Sequence, residues 1–81
     1  MNKIIRRIKK RVLVKQLKVW QEDMEGTAER IAQIDRDLNN DTSLDDMTKA
    51  RLNQLKRFYQ EEYNSALAEV NQLIAELKEL S

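Results

Sequence analysis

The chain has 81 residues, with 15 Lys or Arg against 14 Asp or Glu, no Cys, no His, no Pro and one Gly. That length allows one small domain, and the missing Cys and His exclude a disulfide framework, thiolate metal sites and the commonest general base. The charged fraction of 36%, with Leu, Ile, Ala, Glu, Lys, Arg and Gln dominant, reads as long helices.

The first element opens on KIIRRIKKRVLVKQLK, residues 3–18, which hold eight bases, seven aliphatics, one Gln and no acid. On a helix, Ile4, Ile5, Ile8, Val12 and Val19 form one apolar stripe. Lys3, Arg6, Arg7, Lys10, Arg11, Lys15 and Lys18 fill most of the other half, so residues 1–18 read as a basic amphipathic segment. No run of about twenty apolar residues exists to span a membrane. The stretch VLVKQLKVW carries two lysines and has no small-residue cleavage site after it, unlike a secretory signal.

From residue 13 a different face takes over. Leu13, Leu17, Trp20, Met24, Thr27, Ile31, Ile34 and Leu38 recur at alternating steps of four and three, a heptad seam whose only polar member is Thr27. Gly26, next to that Thr, is either a tolerated glycine or the point where the helix breaks and Thr27 caps a new one. The first helix is expected over about 3–39, with a turn at about 40–43. In NNDTSLDD, residues 39–46, Asn39 and Asn40 suit a left-handed helix end, and Ser43 with Asp46 suits a capping box.

The second helix is expected over about 44–80. Its core stripe runs through Leu52, Leu55, Tyr59, Tyr63, Ala66, Val70, Leu73, Leu77 and Leu80, and Leu67 and Ile74 widen it beyond what one partner helix covers. Two helices of about 55 Å joined by a short turn imply an antiparallel hairpin. Facing residues then have numbers summing to about 85. The count sets Trp20 against Ala66, Thr27 near Phe58 and Tyr59, Leu38 near Met47, and Ile4 and Ile5 near Leu80. The fold class is all-α, one helical hairpin, and its excess apolar surface calls for completion as a four-helix bundle by a second copy.

Charge is segregated along this hairpin. Residues 1–20 carry eight bases and no acid, residues 21–66 six bases and eleven acids, and residues 67–81 one base and three acids. Glu69, Glu76 and Glu79 are available to pair with the N-terminal bases but are too few to balance them. The first helix also runs against its own dipole, with bases at its start and Asp35 and Asp37 at its end. Charge placed for helix stability has the opposite order, so the basic face is assigned to an external anionic partner.

Nucleic acid is the leading candidate, with about five or six phosphates within reach of one helix face. A protein partner met through the apolar stripe and the acidic tip (Asp35, Asp37, Asp41, Asp45 and Asp46) is the alternative. A membrane surface ranks below both, because the stripe has no Trp or Phe before Trp20. The aspartates of DRDLNNDTSLDD lack the Gly and terminal Glu of a calcium loop, so no metal site is expected. Glu61 and Glu62 beside Tyr59 and Tyr63 read as packing and not as an acid–base pair, although Glu62 falls inside the apolar arc and Arg30 is its candidate partner. No nucleophile–base arrangement or phosphate loop is present, so neither enzymatic activity, nor a cofactor, nor a small-molecule substrate is expected. The chain reads as a small cytoplasmic binding or regulatory protein, and as a homodimer.

Overall fold

The computed structural model describes residues 3–80, which form two helices, α1 (Lys3–Asn40) and α2 (Asp46–Glu79). They fold back on each other into a rod of 63 × 14 × 13 Å. Its radius of gyration is 18.4 Å, against about 12 Å for a globular chain of this length. A rod of two helices has one interior line and no more.

That line is thin. Leu13, Ile34, Ala66, Val70 and Leu73 are the buried apolar residues among those described, and Thr27 is buried with them. Most other seam residues, including Leu17, Trp20, Met24, Ile31, Tyr59, Tyr63, Ile74 and Leu77, are half-buried. Leu67 is exposed, because the face it widens has no second layer to meet. Ala66 is fully buried, next in sequence to Ser65 of the groove that Trp20 lines. Trp20 shares an inter-helix groove with Asp23, Phe58, Glu62 and Ser65, close to the pairing the residue count predicts.

Nearer the tip the contacts reach further along α2 than the count predicts. Asp35 pairs with Lys56 at 2.6 Å, and the Arg30 guanidinium lies 5.6 Å from the centre of the Tyr59 ring. Arg30 therefore serves Tyr59 and not Glu62, which corrects its assignment as that acid's partner. The ring quadrupole attracts a guanidinium without requiring either group to leave water fully. Phe58 meets Tyr59 edge-on, with ring centres 5.7 Å apart.

Thr27 is 0% exposed, and its Oγ1 has no hydrogen-bond partner. An unpaired buried hydroxyl costs about 1–3 kcal/mol. Thr27→Val keeps the shape and removes the hydroxyl, so the variant is expected to gain about 1–2 kcal/mol. A urea titration followed by circular dichroism reads this as a higher midpoint at unchanged slope.

α1 runs unbroken through Gly26, which settles the choice between a helix break and a tolerated glycine. Gly26 does not have a positive φ, and a Cβ built on it meets nothing within 4 Å. Nothing in the fold requires a glycine there. Gly26→Ala is expected to stabilise the hairpin by about 0.5–1 kcal/mol, seen as a rise in thermal midpoint.

The turn differs from its expected form. No described residue has a positive φ outside glycine, so Asn39 and Asn40 do not close α1 in the left-handed conformation. The helix runs on to Asn40, and the Asp41 amide still donates to the Asp37 carbonyl at 3.2 Å. Asp41 then accepts from both the amide and the hydroxyl of Ser43. Ser43 is thereby committed to the turn and does not cap α2. The cap is Asp45, in extended backbone, whose carboxylate accepts the Thr48 N–H at 2.7 Å. Asp46 follows in the first turn, at the positive end of the dipole.

Candidate anion-binding surface

Extending the α1 seam backwards from Leu13 by the same steps of three and four gives Lys10, Arg6 and Lys3. α1 is one continuous helix across these positions. The face that packs on α2 in the middle of the rod is therefore basic at its open end. Lys3, Arg6, Arg7 and Lys10 line one groove together with Leu80 of α2. The stripe of Ile4, Ile5, Ile8, Val12 and Val19 is rotated away from α2 and is 64%, 55%, 57%, 48% and 64% exposed, respectively. At the level where the residue count sets Ile4 and Ile5 near Leu80, the side chains that line a groove with Leu80 are Lys3, Arg6, Arg7 and Lys10. A straight helix keeps one face toward its partner, and here that face changes from aliphatic to basic at Leu13.

All eight bases of residues 3–18 are exposed except Lys10, which is half-buried. Residues 1 and 2 of the basic segment lie outside the described residues. None of the eight makes a salt bridge with a described acid; the ion pair found among the described residues is Asp35–Lys56. Glu69, Glu76 and Glu79 of α2 thus leave them unneutralised. The first turn of α1 holds no acid and the last no base, whereas α2 has Asp46 at its start and Lys78 at its end. The positive dipole end of α1 and its bases point the same way, and the two fields add.

At the other end of the rod the aspartates have local work. Asp35 holds Lys56, Asp37 accepts from Gln33 Nε2 at 2.9 Å, Asp41 closes the turn and Asp45 caps α2. Hydrogen bonds from the Ser43 side chain and backbone lower the pKa of Asp41 from its ordinary 3.8, and those from Thr48 do the same for Asp45. No group of three His, Cys, Asp or Glu among the described residues is arranged to hold a metal ion, and no described helix is long and apolar enough to cross a membrane.

A depressed folded-state pKa gives stability that is complete above the unfolded value and lost as pH falls through the folded one. The turn and cap are thus expected to hold from neutral pH down to the ordinary value of 3.8 and to weaken below it. Asp45→Asn keeps an N-cap oxygen without the titration, so the helical signal of that variant should fall less between pH 4 and pH 2 than that of the wild type. Circular dichroism across that range checks it.

Two features of this surface lie outside the expectations drawn from the sequence. One is that the bases themselves occupy seam positions, which projecting the heptad backwards would have shown. The other is the exposure of Met47, Leu55 and Phe58, at 65%, 42% and 59%, on the tip half of α2. Neither a protein-family model, nor a curated protein, nor a solved structure matches this chain.

Proposed function

We propose that this chain is a small, non-enzymatic cytoplasmic binding protein that takes up nucleic acid on the basic face of α1 and self-associates as a dimeric four-helix bundle. One observation carries the nucleic-acid reading: eight bases within sixteen residues, without an intervening acid and without a salt bridge to any described acid. Lys3, Arg6, Arg7 and Lys10 line a common groove, so a phosphate chain following the helix meets several of them in succession. Arg11, Lys15 and Lys18 extend the same helix toward the middle of the rod. The contacts offered are to phosphate, so affinity is expected to depend little on base sequence.

A mobility-shift assay with duplex DNA and single-stranded RNA at low salt tests the proposal. A shift with either supports it; no shift with both at low salt overturns it.

The exposed Met47, next to the capping Asp45 and Asp46, favours a second reading in which the tip docks on a basic protein surface. That reading differs in one outcome: capture of a defined protein would survive charge reversal of the basic face and nuclease treatment. Co-sedimentation with anionic vesicles in place of nucleic acid would assign the basic face to a membrane surface.

A further inference from the structure

We infer that a second copy of this chain covers the apolar stripe of α1, and that the two hairpins lie antiparallel, the open end of each against the acidic tip of the other. The inference rests on the dimer reading and deepens it. Ile5, Ile8, Val12 and Val19 stand at the three- and four-residue multiples of a coiled-coil seam, on a face that α2 does not use, and each is about half exposed or more. On α2 the exposed Met47, Leu55 and Phe58 occupy the tip half. The groove shared by Trp20, Asp23, Phe58 and Glu62 places both rows on one flank, since Asp23 follows Val19 by one turn and Phe58 follows Leu55 by three residues. That flank is thus aliphatic on α1 at the open end and apolar on α2 at the tip.

Charge chooses the orientation. Residues 3–18 carry eight bases and no acid, while residues 35–46 carry five Asp and one Arg. A parallel pair stacks two basic ends; an antiparallel pair sets each basic end against a tip of opposite sign. Under that two-fold, α1 of one copy runs alongside α2 of the other in the same direction. An offset of about 43 residues then brings Val12 beside Leu55, Ile5 beside Met47 and Thr48, and Lys15 within a turn of Glu62. A flank of 63 by 14 Å offers roughly 900 Å² per copy, the size of a standard stable interface. The Lys3, Arg6, Arg7 and Lys10 groove, on another side of α1, stays open to an anionic ligand.

The chain has no cysteine, so introduced thiols report on pairing directly. Within one hairpin Val12 and Leu55 lie about 30 Å apart along the rod, far beyond disulfide reach. Val12→Cys and Leu55→Cys, each at an exposed position, are mixed under mild oxidation and run on a non-reducing gel. The antiparallel pair predicts a disulfide-linked species from the mixture and none from either variant alone. Self-linkage of either variant alone, with no mixed species, overturns this arrangement. Sedimentation of the wild-type chain separates the two failures. A dimer without the mixed cross-link leaves the dimer reading standing and removes only the orientation; a monomer at high concentration removes both.

Discussion

Charge reversal of Arg6, Arg7, Lys10 and Arg11 to Glu is expected to abolish binding to nucleic acid while leaving the helical content of the chain unchanged. The four side chains sit on exposed or half-buried positions and make no salt bridge with a described acid, so their removal breaks no ion pair of the fold. Glu at position 6 lies in the first turn of α1, where an acid suits the dipole, so the variant is expected to stay folded. Each phosphate left without its base makes the dependence of log K on log salt shallower by about 0.9 on duplex DNA. Reversal weakens binding further than neutralisation does, because each introduced Glu also repels the phosphate chain. A drop of at least about a hundredfold in affinity at low salt is the expected result. Replacing the same four residues with Gln removes the charge without repulsion, and an intermediate affinity is expected. Unchanged binding in the Glu variant would place the anionic partner elsewhere on the molecule.

The largest effect on stability is expected from Leu73→Ala. Leu73 is 6% exposed and one of only five buried apolar residues described, and the residue count sets it level with Leu13 at the last aliphatic layer before the seam turns basic. Truncating a buried Leu costs about 2–5 kcal/mol, the higher values applying where the site cannot collapse. A chain of this size is stable by about 4–12 kcal/mol in all, so one substitution removes a large share of it. Val14→Ala serves as the contrast: Val14 is 53% exposed, and its truncation should change stability by less than about 0.5 kcal/mol. Equilibrium urea unfolding of the two variants against the parent measures both. Equal effects would mean that the buried line is not what holds the hairpin.

The helices and the seam were legible in the sequence because a period of 3.5 sustained through Leu13–Leu38 has no other reading. The helix limits fell within two residues of Asn40 and Asp46 for the same reason. The cap was not legible. Ser43 and Asp45 are both residue types that cap helices, and only the folded turn, where Asp41 takes the Ser43 donors, decides between them. Arg30 likewise had an acid, Glu62, and an aromatic ring, Tyr59, within two turns of its level on α2, and proximity to Tyr59 decided. At the open end the stripe of isoleucines was legible as a stripe. Its direction was not, because apolar content suggests burial, whereas a straight α1 keeps Lys3, Arg6 and Lys10 toward α2 and turns Ile5 and Ile8 outward. That is the local conflict between pattern and packing at which an external partner is expected.

The most direct test of the nucleic-acid reading is fluorescence anisotropy of a labelled duplex DNA oligonucleotide titrated with the wild-type chain across a series of salt concentrations. With about five phosphates engaged, log K should fall linearly with log salt with a slope of about −4.5, a loss of roughly 500-fold between 50 and 200 mM. Binding that is absent at the lowest salt, or that does not change along the series, would contradict the account.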